Sequence, residues 1–123
     1  MELHISKEAQ AAIEKQRQTG DWLLLDFEDA IGPFTESAVS CQLYPNFRLL
    51  LVPQAFPAEK LVDYDAHLET EMGTVLMKTT SQMLLDKKVE IVVEPSYKRI
   101  QLRSDSGILA ANLPLKRIEI KND

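Results

Sequence analysis

The sequence predicts a single α+β domain, mainly antiparallel β, with an N-terminal helix and one short helix inserted late. Apolar residues recur at helical spacing only near the N-terminus, whereas short apolar or alternating segments between turn residues fill most of the remaining chain. The 123 residues, 45% hydrophobic and 27% charged, match one globular domain that buries its own core. We find no repeat or linker, and therefore expect one domain over residues 1–123.

The N-terminal segment predicts a helix that begins at Ser6. The Ser6 side chain can accept hydrogen bonds from the first helical turn, and Glu8 suits the positive end of the helix dipole. A narrow, mostly apolar stripe has helical spacing and consists of Ile5, Ala9, Ala12, Ile13 and Gln16. Because Gly20 readily adopts the left-handed conformation that terminates helices, we expect the helix to end at Thr19 and Gly20.

Apolar and alternating segments predict the strands. Continuous apolar segments predict strands at Trp22–Phe27, Phe47–Val52 and residues 89–93, and weaker or stricter alternation predicts strands at residues 37–43, 62–70 and 99–103. Further strands are expected at residues 74–78 and 113–120, the latter with Ile118 and Ile120 facing inward.

Turn residues separate these elements. Loops or turns are predicted at residues 28–34, 44–46, 53–60, 71–73 and 105–107, where glycine, proline, asparagine and aspartate are concentrated. A short helix is predicted at residues 81–86, capped by Thr80 or Ser81, with Met83 and Leu84 buried and Leu85 as a further candidate for burial.

Composition excludes several classes of function. The longest apolar segments are far shorter than the roughly 18 residues of a membrane span, and no signal peptide is recognised at the N-terminus. A net charge of −5 without a basic face argues against nucleic-acid binding. The single cysteine, Cys41, cannot form an internal disulfide, which is consistent with the cytoplasmic location that we expect.

Several sequence patterns together point to a known family. Residues 73–92 read GTVLMKTTSQMLLDKKVEIV, in which a strand leads through a serine-containing turn to a short helix with a leucine pair and a second strand. The segments ISKEA at 5–9, LLLDFEDAIGPF at 23–34 and LRSDSG at 102–107 add further matches. This sequence resembles the HesB-like, A-type iron–sulphur cluster biogenesis domain, and is most similar to a divergent branch from Gram-positive bacteria. The resemblance extends from about Met1 to Gly107 and implies the family fold.

The sequence departs from the family at the cysteines. Family members hold a cluster with one cysteine in a Gly-Cys-Ser-Gly loop and two in a Cys-Gly-Cys tail, but here these segments read AIGPF at 30–34 and ILAAN at 108–112. Cys41 lies seven residues beyond Phe34, on a predicted strand. Iron–sulphur clusters require thiolate ligands, and a symmetric dimer of this chain would supply only two. We therefore expect no bound cofactor of the family type.

An acidic strand is the candidate metal site. Asp63, Asp65, His67, Glu69 and Glu71 occupy alternate positions and would share one strand face, with same-face neighbours roughly 7 Å apart. Asp65, His67 and Glu69 could then converge on iron or another divalent metal. The alternative is a solvated face whose charges are matched by Arg99 and Arg103, which is the default for an antiparallel sheet.

Two other groups of polar residues could be catalytic, but a structural role is favoured for each. Asp26, Glu28 and Asp29 could form an acid–base pair, but without a nearby nucleophile or histidine a solvated loop is favoured. The segment 104–107 contains two serines, but the nucleophile-elbow motif is absent and its side chains are expected to bond their own backbone in a turn.

Cys41 shares its predicted face with Val39 and Leu43, so it is interpreted as a small buried hydrophobe rather than a reactive thiol. The aromatic residues are expected in the core and at its rim, rather than on a base-stacking platform, because no basic groove accompanies them. This group consists of Trp22, Tyr44, Phe47 and Phe56.

Two hypotheses follow, and a third, an enzyme, ranks last because no group of residues supports it. The first is a non-enzymatic HesB-like domain without catalytic residues, linked by family to iron–sulphur metabolism and acting as an accessory or protein-binding module. Its protein partner is unknown, a homodimer is compatible with it, and neither nucleic acid nor a membrane is expected as a partner. The second is a divalent-metal protein, with Asp65, His67 and Glu69 as ligands.

Overall fold

The structure is a computed structural model that describes residues 1–27 and 47–118. Over these ranges, two mixed β-sheets, two α-helices and a 3₁₀ helix form an α+β fold, as predicted. The elements are β1 (Glu2–Ile5), α1 (Lys7–Glu14), β2 (Trp22–Phe27), β3 (Phe47–Val52), a 3₁₀ helix (Ala58–Leu61), β4 (Ala66–Thr70), β5 (Gly73–Met77), α2 (Thr79–Gln82), β6 (Lys88–Val93), β7 (Ile100–Ser104), β8 (Gly107–Ala110) and β9 (Leu115–Arg117).

The larger sheet has five strands in the order β4-β5-β2-β3-β9. Its centre is the antiparallel pair β2–β3, which is in register from the pair Trp22 and Val52 to the pair Phe27 and Phe47. Both central strands are apolar on both faces because both faces of this sheet are covered. The flanking pairs β2–β5 and β3–β9 are parallel, so the sheet is mixed.

The smaller sheet has four strands in the order β1-β6-β7-β8. Strand β1 pairs in parallel with β6 and was not predicted, although Leu3 and Ile5 alternate with exposed residues as a half-buried strand requires. Strand β8 was also not predicted, because the expected turn at residues 105–107 continues directly into it. The outward face of this sheet carries cross-strand charges, among them the pair Glu90 and Arg103.

The main core lies between the two sheets and includes the buried face of α1. It includes Leu3 and Ile5 of β1, Ala9 and Ile13 of α1, and inward side chains of both sheets. A second, smaller cluster covers the opposite face of the five-stranded sheet and consists of Leu24, Leu50, Val52, Leu61 and Tyr64, with Trp22, Phe56, Leu76 and Ile118 packed against it. The 3₁₀ helix contributes Leu61 to this second cluster.

Helix α1 begins as predicted but ends earlier. The Ser6 hydroxyl accepts a hydrogen bond from the Ala9 N–H at 3.2 Å, whereas the helix stops at Glu14 rather than at Gly20. Downstream, the Asp21 carboxylate accepts the Gln18 N–H, and the Arg17 guanidinium donates to the Asp21 carbonyl. These bonds stabilise a separate turn, in which Gly20 has a φ of +84°.

The predicted inserted helix is displaced and has a different buried face. Helix α2 spans Thr79–Gln82, and Met83 and Leu84 are 86% and 54% exposed, so their predicted burial is wrong. Ser81 is buried instead, and Leu85, the further candidate, packs partly buried against the main core one turn later, because the helix begins directly after β5. The position at which β5 ends therefore determines which side chains of α2 and the following residues are buried, and the leucine pair does not.

Other boundaries also differ from the prediction. Strand β4 begins at Ala66 rather than at residue 62, because a 3₁₀ helix and a turn occupy the preceding residues. Strand β9 is short, and Ile118 after it packs against the second cluster, as predicted. The predictions for Ile120 and for a strand at residues 37–43 lie outside the described residues. No helix in the described parts of the chain is long and apolar enough to cross a membrane.

Candidate functional site

The predicted metal ligands lie at and just before the exposed edge strand β4. His67 and Glu69 are exposed and alternate along β4, whereas Asp65 precedes the strand. The Asp65 carboxylate accepts the Thr79 N–H at 2.9 Å, and the Glu69 carboxylate accepts the Thr74 hydroxyl at 2.7 Å. Within residues 1–27 and 47–118, no group of three histidine, cysteine or acidic side chains is placed to hold a metal ion. The metal site remains a prediction.

The predicted five-residue acidic face is wrong at both ends. Asp63 lies in the turn before β4, and Glu71 lies in the turn after it. The Glu71 carboxylate accepts the Ile5 N–H at 2.8 Å and contacts the His4 imidazole at 2.9 Å. These contacts lower the pKa of Glu71, through the Ile5 N–H first, and raise the pKa of His4. Glu71 therefore connects β1 to the β4–β5 turn.

The predicted charge partners of the acidic strand are also wrong. Arg103 pairs with Glu90 at 3.6 Å, and Arg99 lies 4.0 Å from Glu94. Both arginines belong to the smaller sheet or its β6–β7 turn, whereas β4 is an edge strand of the larger sheet. The separation of the two sheets, which the alternating sequence does not reveal, keeps these groups apart.

Asp26 is buried, contrary to the predicted solvated loop. Its carboxylate accepts hydrogen bonds from the Arg48 guanidinium and the Tyr64 hydroxyl, each at 2.8 Å, and lies 3.4 Å from the Lys78 ammonium. Only 1% of Asp26 is exposed, and Lys78 and Tyr64 are each 2% exposed. Lys78 also donates to the Phe27 carbonyl at 3.0 Å. The other two acidic residues of the predicted group, at positions 28 and 29, lie outside the described residues.

The sequence contained a signal for this cluster that was missed. Asp26 and Arg48 interrupt two otherwise apolar strands, and the antiparallel register places them directly opposite each other. A charge on each of two central strands indicates a buried ion pair, since buried charges are normally paired. Tyr64 and Lys78 carried no comparable signal, because they come from a turn and from the residue after β5.

The cluster of Asp26, Arg48, Tyr64 and Lys78 is suited to stabilising the sheet. It connects two central strands to the end of β5 and to the turn before β4. Arg48 and Tyr64 donate hydrogen bonds to one carboxylate, and the Lys78 ammonium forms an ion pair with it. Hydrogen bonds to a charged group of this kind are the strong ones. The arrangement holds the Asp26 carboxylate in a buried, low-dielectric region.

The remaining predicted sites have structural roles where they are described. In the turn between β7 and β8, the Ser106 N–H donates to the Ser104 hydroxyl, which donates to Asp86. The hydrogen bond from the Ser104 hydroxyl is the main cause of the lowered pKa of Asp86. The turn interpretation of residues 104–107 is therefore confirmed. The Ser104–Asp86 hydrogen bond also connects the loop after α2 to the β7–β8 turn.

The three described aromatic residues of the predicted group lie in the core and at its rim, as predicted. Phe47 belongs to the main core, where its ring centroid lies 4.9 Å from that of Phe27. Trp22 and Phe56 pack, partly buried, against the second cluster. The predictions for Tyr44 and for the buried thiol of Cys41 lie outside the described residues.

The residues present do not fit an iron–sulphur cluster. The chain contains one cysteine in 123 residues. In the segment predicted to correspond to the family's cysteine tail, residues 108–112, the first three residues belong to strand β8 and have isoleucine, leucine and alanine side chains. Without thiolates this strand lacks the soft ligands that iron–sulphur chemistry needs.

Comparisons with known proteins agree with this fold. A sequence profile of the family described as "Iron-sulphur cluster biosynthesis" matches residues 1–117. A crystal structure of a candidate Fe-S biosynthesis protein from Lactobacillus salivarius superposes with a TM-score of 0.81 at 24% identity, covering 95% of this chain and 98% of that chain. A second, from Lactobacillus acidophilus, has a TM-score of 0.69 at 13% identity and covers 95% and 90% of the two chains. No curated protein sequence matches.

Proposed function

Since this chain belongs to the iron–sulphur cluster biosynthesis family, we propose that it is a non-enzymatic, protein-binding accessory module of iron–sulphur metabolism that carries no cluster itself. The observation that carries this proposal is the cysteine content, because one thiol per chain is too few for the ligands of a cluster. The fold of the family is retained without its soft ligands, and a fold can serve different functions.

Exposed apolar side chains support the protein-binding part of the proposal. Met83 and Leu84 follow α2 and are 86% and 54% exposed, and Ile108 on β8 is 61% exposed. The hydrogen bond between Asp86 and Ser104 joins the two segments that carry these side chains. Large apolar side chains exposed to this degree can contribute to a protein contact surface.

The absence of a cluster can be tested by anaerobic reconstitution with iron and sulphide, followed by desalting. We expect no visible cluster absorption and no stoichiometric retention of iron or sulphide. Stoichiometric retention of both with a cluster spectrum would contradict the proposal, and Cys41→Ser would then establish whether the single thiol is a ligand.

The protein-binding role can be tested by affinity capture from cytoplasmic extract of the native organism. We expect cluster-assembly or cluster-containing proteins to be retained by the natural chain and lost with the double variant Met83→Ser and Leu84→Ser. A Tyr97→Ser variant is the matched control, because Tyr97 is 75% exposed in the β6–β7 turn. Equal capture by both variants would exclude the Met83–Leu84 segment as the contact.

The second candidate function is divalent-metal binding by Asp65, His67 and Glu69. The exposure of His67 and Glu69 at alternate positions of β4 favours it. Calorimetric titration with Fe²⁺ or Mn²⁺ tests it, with His67→Ala expected to abolish binding and His4→Ala, which changes the other histidine, to leave it intact. Absence of binding to the natural chain excludes this candidate.

A further inference from the structure

A pocket of about 390 Å³ lies on the second-cluster face of the five-stranded sheet. The sheet supplies Trp22 from β2, His67 from β4, and Thr74 and Leu76 from β5, while Leu61 and Tyr64 close it from the 3₁₀ helix and the following turn. His67 and Leu76 are direct cross-strand neighbours. Most of the pocket is thus built on paired strands, which hold its walls in place.

Two aromatic rings line the pocket, and one of them is fixed. The Tyr64 hydroxyl donates to the Asp26 carboxylate at 2.8 Å, and the residue is 2% exposed, so its ring cannot swing away. Trp22 is packed against the same cluster. Aromatic faces attract cations through their negative quadrupole, and tryptophan is the most effective of them.

One ammonium already lies close to this wall. The Lys78 ammonium is 5.7 Å from the centroid of the Tyr64 ring. It is held by the Asp26 carboxylate and the Phe27 carbonyl, on the side of the buried charge cluster. The Tyr64 ring is thus already used for a cation–π contact by the protein itself.

One carboxylate lies next to the pocket. Thr74 lines the pocket, and its hydroxyl donates to the Glu69 carboxylate at 2.7 Å, so a negative charge lies one hydrogen bond from the cavity. In the segment that closes the pocket, residues 58–65, three acidic residues accompany one lysine. Charge complementarity therefore favours a cation over an anion as occupant.

We propose that this pocket binds a small organic amine in its protonated form, with an apolar or aromatic body. The body would pack against Trp22, Leu61 and Leu76, and the ammonium group would face Glu69. The volume lies in the range of small-molecule sites, about 300–1,000 Å³, and is too small for an α-helix about 10 Å wide. The pocket does not include the exposed Met83–Leu84 segment, so the proposal does not depend on the protein-binding role. It shares His67 and Glu69 with the candidate metal site and is an alternative use of those two side chains.

The single tryptophan of the chain is a reporter for this pocket. The test is a titration of the natural protein with benzylamine, which is protonated at neutral pH, followed by Trp22 fluorescence. Benzyl alcohol and benzoate are the matched neutral and anionic probes. We expect saturable binding of benzylamine, weaker binding of benzyl alcohol and no binding of benzoate.

Three variants locate the site. Glu69→Gln is expected to weaken benzylamine binding about fivefold, the effect of one exposed ion pair, without changing benzyl alcohol binding. Glu8→Gln on α1 removes a remote charge and is expected to leave the affinities for benzylamine and for benzyl alcohol unchanged. Ala58→Phe fills the pocket and is expected to abolish binding of both probes while the circular dichroism spectrum is preserved.

Equal affinity for the three probes, or no binding of benzylamine, would overturn the proposal. So would Trp22 emission that shifts on dilution of the protein alone, because a second copy of the chain would then occupy the pocket. Benzylamine binding that persists in Ala58→Phe would place the amine elsewhere and equally overturn it.

Discussion

Asp26 illustrates how single residues determine the interior of this domain. It is a carboxylate in the middle of a sheet, and its three hydrogen-bonding or ionic partners come from β3, from the turn before β4 and from the residue after β5. Removal of charged surface from water is costly, so such a residue is tolerated only while its partners are in place. Its position in an apolar strand was visible in the sequence, whereas two of its partners were not.

At this residue, Asp26→Asn is expected to lower the free energy of unfolding by about 3–5 kcal/mol, because Arg48 and Lys78 would remain buried without their carboxylate. Urea denaturation at neutral pH measures the change. Glu90→Gln, which removes an exposed partner of Arg103, is the control and is expected to cost less than about 0.5 kcal/mol. Similar losses in both variants would contradict the structural role of burial.

Two glycines permit a second comparison between single residues. Gly20 and Gly73 both have positive φ, +84° and +95°, so alanine is strained at either position. A Cβ at Gly20 would lie 2.5 Å from the Gln54 side-chain oxygen, whereas a Cβ at Gly73 would meet nothing within 4 Å. The two sites therefore separate backbone strain from steric contact.

Gly73→Ala is expected to destabilise the protein by about 1–2 kcal/mol through backbone strain alone. Gly20→Ala is expected to cost more, because the Gln54 side chain must also move. Thermal denaturation of both variants and of the double variant Gly20→Ala with Gln54→Ala measures this. If removal of Gln54 does not reduce the difference, the steric explanation is wrong.

At the scale of elements, β1 is connected to the larger sheet through Glu71. The carboxylate accepts one backbone N–H of β1 and contacts His4 on the same strand. His4 also contacts Glu2 at 3.4 Å. Since β1 is an edge strand of the smaller sheet, these contacts join the two sheets at their edges.

This connection predicts a pH dependence of stability. The raised pKa of His4 means that its contribution is complete below the usual value of 6.5 and is lost as the pH rises through the higher folded value. The lowered pKa of Glu71 means that its contribution is present above the usual value of 4.5 and is lost as the pH falls through the lower folded value. The connection is therefore strongest between pH 4.5 and 6.5.

Urea denaturation of the natural chain and of His4→Gln over this range and up to pH 8.5 measures the effect. The stability difference between the two proteins is expected to decrease as the pH rises above 6.5. His67→Gln, which changes the other histidine, serves as the control. A difference that is constant with pH would show that His4 acts only through packing.

At the scale of the whole molecule, one sheet separates two apolar clusters. Leu49 and Leu51 of β3 face the main core, while Leu50 faces the second cluster. Because neighbouring residues of one strand belong to different clusters, the two clusters cannot come apart without breaking β3. The molecule should therefore unfold as a single unit, consistent with the one domain expected from its length.

Leu49→Ala is expected to lower the free energy of unfolding by about 2–5 kcal/mol, the usual cost of a buried leucine. Trp22 lies on the second-cluster face, so its fluorescence reports the side opposite to the substitution. We expect the fluorescence and circular dichroism transitions to shift together. Separate midpoints would mean that the two clusters unfold independently.

Local patterns in the sequence by themselves determined the α+β class, the N-terminal cap at Ser6 and the apolar strands β2 and β3. These features depend on capping chemistry and on side-chain periodicity, both of which operate within a few residues. The resemblance of several motifs to one family was readable for the same reason, and so was the lack of cysteines at its ligand positions. The profile match over residues 1–117 confirms the family.

Only the tertiary structure decided which strands share a sheet and which charges meet. It separated Arg99 and Arg103 from the acidic strand, and it brought Tyr64 and Lys78 to Asp26 across the sheet. It also exposed Met83 and Leu84 and formed the pocket beside Trp22. These outcomes depend on strand order and register between distant segments, which the period of a single strand does not specify.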